Sequence, residues 1–313
     1  MAINRVEAGD AVRGGPAAVD GGGSAVLADP QRRAAVHRLH QAIVDHTYGV
    51  ARDAWARAAP GLRALWDEHV ERYPERARAA PRTQPDGAWE GDGNRRLTPE
   101  QNSEASKACK DVSDEGKQVI LPAMRRIEAA DPDRKLAGLE HMLKGEDRLK
   151  EKIADEMTAK SWLTVRQAVD TVADAVRFTL AYTPDRYAEG VRADVERLKA
   201  EGFELIQLKN QWTGDQYKGV NSQWSRRETG LRFEVQFHTA ESLEAKELTH
   251  KAYERIRSSQ ASPAERRELE EFQRQVNALV LSPPCTDEIK AFRRGRDARE
   301  DHLLRDSRRV HGS

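Results

Sequence analysis

Apolar residues recur at helical spacing early in the chain. Val36, Leu39, Ile43, Val50 and Ala54 fall three, four or seven residues apart, which lays one apolar stripe along a helix. Asp29 and Pro30 supply its cap and first turn. A second helix is predicted after Pro60, with Leu62, Leu65, Trp66, Val70 and Tyr73 inward and Pro74 at its end. Thr98-Pro99-Glu100-Gln101 reads as a capping box with proline at the first helical position, and Ala105, Cys109 and Val112 continue that helix. Another helix begins near Pro122 and carries Met124, Ile127 and Ala130.

The pattern changes after residue 135. Leu139, Leu143, Leu149 and Ile153 support a helix bent near Gly145. Val176 to Tyr182 alternates and is rich in strand formers. A helix from Pro184 to Glu201 closes at Gly202, and Phe203 to Leu208 is the next strand. Tyr217–Trp224 and Leu231–His238 flank a polar turn and predict a hairpin. Helices over 241–258 and 263–279 follow. The expected fold is α+β: a small mixed sheet covered by helices and preceded by a helical N-terminal region.

Breaks in this pattern divide the chain. Residues 1–28, with Gly14-Gly15-Pro16 and Gly21-Gly22-Gly23, read as a flexible leader. Residues 29–75 form a helical accessory region, and 76–97, with Pro81, Pro85 and Gly91-Asp92-Gly93, read as a linker. The main domain is expected over 98–285 and a charged tail over 286–313.

Composition sharpens this picture. The 313 residues are 33% charged and 38% hydrophobic, against typical values of roughly 25% and 45–50%, and mean hydropathy is −0.80. Such a chain buries apolar surface along only part of its length. With 52 basic and 52 acidic residues, the charge balance argues against a dedicated duplex nucleic-acid binder. No window approaches 18 consecutive apolar residues, so no membrane span is expected. The N-terminus lacks a charged-then-apolar secretory segment, which makes the cytoplasm the default compartment. Cys109 and Cys285 have no metal-ligand spacing; they read as small buried residues or as one disulfide that would imply export.

Four constellations carry chemistry. Lys144, Arg148 and Lys152 recur every four residues, a cationic comb suited to a polyphosphate or, with Glu146, Asp147 and Glu151 between them, a solvated helix face. Asp174 with Arg177 at a strand entry suits Mg²⁺ and a phosphate oxygen, or is a structural ion pair. In Phe233-Glu234-Val235-Gln236-Phe237-His238-Thr239, alternation sets Glu234, Gln236 and His238 on one face, lining either water or a ligand. Tyr217, Gly219 and Asn221 share a face of the preceding strand, either as a base-stacking floor or as an ordinary cross-strand pairing surface.

Taken in order, these four pieces resemble the synthetase domain of RelA/SpoT-type alarmone enzymes over residues 139 to 255. Within that group the chain is similar to actinomycete ATP nucleotide 3'-pyrophosphokinases and related toxin domains. Lys144 to Lys152 matches the basic ATP-binding stripe, and Asp174-Ala175-Val176-Arg177 the strand carrying the metal-binding aspartate, with Asp170 as the alternative. Tyr217 falls where the family places a base-stacking tyrosine. Glu234 to Thr239 resembles the Glu-x-Gln-x-basic-Thr strand, and His250 with Tyr253 the helix after it. Two departures stand out: Asp215-Gln216 replaces Asn-Gly before the tyrosine, and Asn221 replaces a histidine, which leaves the acceptor base open. No His-Asp motif of the family's hydrolase domain occurs.

The resemblance implies a nucleotidyltransferase-like synthetase fold and Mg²⁺-dependent transfer of pyrophosphate from ATP to the 3'-hydroxyl of a purine nucleotide (GDP or GTP, or AMP, ADP or ATP), releasing AMP. It implies catalytic roles for Glu234, Asp174 and Gln236, with Asp174 and Glu234 as metal ligands. Lys144, Arg148, Lys152 and Arg177 would bind ATP, and Tyr217, Asn221, Lys209, Lys218 and His238 the acceptor. It also admits a secreted or injected toxin with a delivery or immunity partner. The competing reading is a catalytically silent nucleotide sensor or interaction module of the same fold.

Overall fold

The computed structural model describes residues 30–74, 80–257 and 261–295. The leader expected over 1–28 and most of the expected tail lie outside the described residues. The chain divides into two compact units, residues 1–46 and 47–313. The division falls inside helix α1 (Pro30–Arg72) and not in the stretch expected to be a linker.

Helix α1 is continuous where two helices were expected, because Pro60 lies inside it without ending it. Proline removes one amide donor, but Trp55, Ala59 and Leu62 around it are buried in the core of the second unit, and tertiary packing of a helix face outweighs such a local loss. In the first unit Leu39 and Ile43 are exposed, contrary to the inward stripe expected there.

Most of the expected linker is folded. Strands β1 (Arg82–Thr83), β2 (Trp89–Glu90) and β3 (Arg96–Leu97) form a small antiparallel sheet. Trp89 is 1% exposed, and its indole Nε1 donates to Asp147 Oδ1 at 2.9 Å. The prolines and glycines of this stretch serve tight turns, and one large buried aromatic anchors it to the main core.

Helix α2 (Pro99–Glu115) starts on the expected Thr98–Gln101 capping box. It runs through a π-helical stretch, Gly116–Ile120, into α3 (Leu121–Ala129). A strand the hydrophobic pattern did not disclose, β4 (Arg134–Ala137), follows. Helices α4 (Glu146–Ala159) and α5 (Val165–Thr171) precede β5 (Arg177–Tyr182), α6 (Tyr187–Ala200) and β6 (Phe203–Asn210). The predicted hairpin is β7 (Val220–Arg226) and β8 (Arg232–Thr239). Helices α7 (Ala240–Arg257) and α8 (Pro263–Ala278) and the short β9 (Phe292–Arg293) complete the described chain.

The main sheet has the order β4-β5-β8-β7-β6-β9. Only β5 and β8 pair in parallel, so the sheet is mixed, as expected. Phe178, Leu180, Val235, Phe237 and Trp224 alternate onto one buried face. Tyr187 of α6 donates its hydroxyl to the Phe237 carbonyl at 2.8 Å. The intervening residues face the other way and form the candidate site. Cys109 is buried, Cys285 is exposed, and both are free thiols, so the disulfide alternative does not hold. No helix among the described residues is long and apolar enough to cross a membrane.

Candidate active site

Register builds the site floor. Arg177 and Thr179 of β5 stand opposite Glu234 and Gln236 of β8. Across the next pairing, Gln223 stands opposite Glu234 and Asn221 opposite Gln236. Gln207 and Lys209 of β6 extend the two rows. Paired residues in a sheet share a face, so four strands present one polar surface at the centre of the molecule's only six-stranded sheet among the described residues.

The catalytic candidates lie at the β5 edge of this floor. A bridge between Leu143 and Val176, with Lys144 N donating to Ala175 O and Arg177 N to Met142 O, lays the 142–144 segment beside the entry of β5. This delivers Lys144 Nζ to 3.2 Å from Asp174 Oδ2. Arg177 Nη2 lies 3.3 Å from the same oxygen, and Arg177 Nε lies 2.8 Å from Glu234 Oε1. Gln236 Nε2 donates to Glu234 Oε1 at 2.6 Å. One guanidinium therefore joins two carboxylates, with an ammonium at one end of the chain and an amide at the other.

Electrostatics follow from this crowding. Burial pushes the Asp174 carboxyl up, but Lys144, Lys152 and Arg177 together outweigh it and hold it below the usual carboxylate range. Burial and then Arg177 push the Lys246 ammonium down, against the pull of Glu247 and Glu234. Burial, Lys246, Arg177 and Lys144 lower His250, which Glu254 partly offsets. Burial and the Glu234 carboxylate raise the Tyr217 phenol.

Not every predicted residue joins the cluster. Lys144 precedes α4, whose cap is Gly145, so the comb is not one helical stripe. Lys152 contributes to the field at Asp174, whereas Arg148 is exposed and pairs with Glu151 at 3.1 Å. Asp170, the alternative, pairs with Arg166 within α5 at 3.6 Å, whereas Asp174 is the carboxylate that meets Lys144 and Arg177. Lys209 is exposed at the far rim. Lys218 donates to the Trp212 carbonyl at 2.8 Å, stapling its own loop where acceptor contact was expected. Tyr217 precedes β7 and lies in that loop. His238 is fully buried with both ring nitrogens in hydrogen bonds, so it offers an acceptor nothing directly.

One residue escaped the sequence reading. Ser242, Lys246 and His250 recur every four residues on α7, a stripe that lies over the site. Lys246 feels Arg177 and Glu234, yet no carboxylate among the described residues pairs with it. The signal was the spacing itself, hidden because a lysine in a charged amphipathic helix reads as surface.

The donor set fits magnesium. Asp174 and Glu234 offer carboxylate oxygens only, and Mg²⁺ is commonly held by one or two carboxylates with substrate phosphates and water completing its shell. Among the described residues no group of three or more His, Cys, Asp or Glu converges on one point, which disfavours an all-protein metal cage. One buried atom of this floor, Gln236 Oε1, has no hydrogen-bond partner. Buried polar groups are normally satisfied, so this unpaired acceptor marks a surface that meets a polar ligand.

No family model and no curated protein matches the chain. Among solved structures it is similar to a GTP pyrophosphokinase family protein from Streptococcus pneumoniae, at 16% identity and a TM-score of 0.40 over 58% of this chain and 90% of that one. It is also similar to small alarmone synthetase 1 from Bacillus subtilis bound to its product pppGpp, at 12% identity and a TM-score of 0.34, covering 67% and 95%. Small alarmone synthetase 2 from Bacillus subtilis matches at 12% and 0.37, covering 52% and 88%. Likeness at this level carries no function across, so the functional reading rests on the residues of this chain.

Proposed function

We propose that the chain transfers pyrophosphate from ATP to the 3'-hydroxyl of a purine nucleotide and releases AMP. The observation that supports this most is the Arg177 guanidinium holding Asp174 and Glu234 together beside Lys144. Cations and carboxylates in one cluster suit a polyphosphate substrate with a divalent ion, and the uncharged polar floor next to them suits a sugar and base. Phosphoryl-type transfer needs positioning and charge neutralisation more than covalent help.

Lys144, Lys152 and Arg177 meet the ATP phosphates, and Arg148, exposed on α4, is left for the nucleoside. Asp174 and Glu234 would hold Mg²⁺, which when bound neutralises charge on the phosphate oxygens. Tyr217 offers a ring face to the acceptor base, while Gln236 and Asn221 face its ribose. The acceptor 3'-oxygen forms a bond to the β-phosphorus as the bond from that phosphorus to the bridging oxygen breaks. The bridging oxygen leaves with AMP, and Glu234 accepts the hydroxyl proton.

The test is incubation of the full chain with ATP, Mg²⁺ and, separately, GDP, GTP, AMP, ADP or ATP as acceptor, with nucleotides resolved by chromatography. AMP and a 3'-pyrophosphorylated product are expected with at least one acceptor. ATP binding by calorimetry without AMP from any acceptor would overturn the reading in favour of a silent sensor. Growth arrest on cytoplasmic expression, relieved by Glu234→Gln, separates a toxin from a housekeeping synthase.

A further inference from the structure

His238 has the wrong chemistry for the acceptor contact expected of it. It is fully buried, and burial followed by the charge of Lys246 pushes its pKa down to about 3. It is therefore neutral across about pH 5–8, where histidines ordinarily change charge. A neutral imidazole has one donor and one acceptor, and the surrounding bonds say which is which.

The hydroxyl of Ser242 lies 3.2 Å from the Thr239 carbonyl, to which it donates, and it accepts from the Thr239 amide at 2.9 Å. With that proton directed at the carbonyl, we assign the imidazole proton to His238 Nδ1, 2.9 Å from Ser242 Oγ. Nε2 is then an acceptor, and the Tyr217 hydroxyl 2.9 Å away donates to it. The two rings meet edge to face at 5.3 Å and 73°.

The loop around Tyr217 is pinned on both sides. Asn277 Nδ2 donates to the Gln216 carbonyl at 3.0 Å, and Lys218 Nζ to the Trp212 carbonyl at 2.8 Å. Backbone anchors place the Cα of Tyr217, and the bond to His238 then fixes where the ring points. Gly219 makes room for this: a Cβ there would lie 2.9 Å from His238 Cε1.

We propose that His238 is a positioning residue for Tyr217, a neutral hydrogen-bond acceptor that holds the tyrosine ring in the plane presented to the acceptor nucleobase. The proposal rests on the reading that Tyr217 meets that base. Stacking requires a defined ring plane, and a hydroxyl committed to an imidazole leaves the ring face as the recognition element.

The test compares Tyr217→Phe, His238→Phe and the double variant in the full chain. Acceptor is titrated at saturating ATP, then ATP at saturating acceptor. Loss of one hydrogen bond is expected to raise the acceptor KM roughly five- to tenfold and to leave the ATP KM within about twofold. The double variant is expected to be no worse than the weaker single one, because both remove the same bond. His238→Gln, whose amide oxygen can accept from the hydroxyl, is expected to recover part of the loss. An unchanged acceptor KM in Tyr217→Phe, or losses that multiply in the double variant, would overturn the proposal; the tyrosine variant decides even where His238→Phe does not fold.

A second readout needs no turnover. Long-range ¹H–¹⁵N spectra are expected to show His238 as the neutral Nδ1–H tautomer, with the Nε2 signal moving in Tyr217→Phe. An imidazolium or an Nε2–H tautomer would overturn the link. Absence of transfer with every acceptor would defeat the proposed function, while the spectra still decide the bond between the two rings.

Discussion

Arg177 Nε lies 2.8 Å from Glu234 Oε1, across the one parallel pairing in the sheet, where the two residues stand directly opposite. The same guanidinium reaches Asp174 Oδ2 at 3.3 Å. A parallel partner strand thus does what neither strand does alone: it brings a carboxylate to each side of one planar cation. The forked, delocalised guanidinium can serve two carboxylates at once, which a point-charge ammonium cannot do in the same geometry.

Glu234→Gln is expected to lower kcat by at least ~10²-fold, since it removes both a proton acceptor and a metal-binding oxygen. The amide keeps the side-chain volume, so the thermal midpoint should move little. Steady-state AMP release alongside a melting curve checks both statements; unchanged turnover would remove Glu234 from the mechanism.

Arg177→Lys is expected to behave as a severe change despite preserving charge. One ammonium cannot hold Asp174 and Glu234 together, so the two carboxylates separate or one of them protonates. A loss of ~10²-fold or more in kcat/KM is anticipated, corresponding to roughly 2.7 kcal/mol of transition-state stabilisation. Recovery of near-normal rates by lysine would show that only net charge matters at this position.

Lys246 makes a pH-dependent prediction. Burial and Arg177 lower its pKa, and only the protonated form attracts phosphate. Affinity for a non-hydrolysable ATP analogue should therefore fall as pH rises, at a pH below the ordinary lysine range. The charged and titratable groups around it are Arg177, Glu234, Glu247, His238 and His250. Lys246→Arg, charged throughout, should lose this alkaline limb, and Lys246→Met should bind weakly at every pH. Calorimetry across the alkaline range checks it; the same limb in Lys246→Arg would assign it to another group.

The pattern of apolar residues disclosed the strands of the site because each is long and alternating. Residues 233–239 place Glu234, Gln236 and His238 on one face, and the structure does so. The period could not say that β8 is central and shut in on both sides, which is why His238 is a buried neutral anchor where a contact was expected. β4 stayed hidden because its four residues, Arg134 to Ala137, are two charged then two apolar, with no alternation to read. The 76–97 stretch looked like a linker by its prolines and glycines, since composition does not reveal that Trp89 has a pocket to fill. Asp174 was legible as an acidic residue at a strand entry, but joining it to Glu234 took the β5–β8 register, a long-range fact no local pattern holds.

Away from the site, a buried polar network ties α3, β4, β5 and α6 together. Arg134 Nε lies 3.0 Å from Asp194 Oδ2, Tyr182 donates to the same oxygen at 2.7 Å, and Arg197 reaches Oδ1 at 2.7 Å. Arg134 also donates twice to the Ile127 carbonyl, at 3.0 and 2.6 Å. Asp194→Ala takes from the buried guanidinium its fully buried counter-ion and leaves only Asp131, 3.2 Å from Nη1; removing one partner of a buried pair costs about 3–5 kcal/mol. Urea unfolding should show that loss with little change in slope; a shift under about 1 kcal/mol would mean that the Ile127 carbonyl and neighbouring Asp131 satisfy Arg134 unaided.

Gly219→Ala tests whether the close approach between β7 and β8 matters. Gly219 has φ +149°, and a Cβ there would lie 2.9 Å from His238 Cε1 and 3.0 Å from the Phe237 carbonyl oxygen. The carbonyl belongs to a central strand and is also bonded to Tyr187, so it has little room to yield. The imidazole is the softer neighbour, but moving it breaks its bonds to Tyr217 and Ser242. Overpacking of this kind costs about 1–3 kcal/mol. If the ring gives way, acceptor KM should rise along with the stability loss while the ATP KM holds. If the backbone gives way, stability should fall with both constants disturbed, because Gln236 and Glu234 lie on the same strand. Denaturation midpoints read beside the two KM values separate these outcomes, and an alanine variant matching the parent in both would show that the contact is not a constraint.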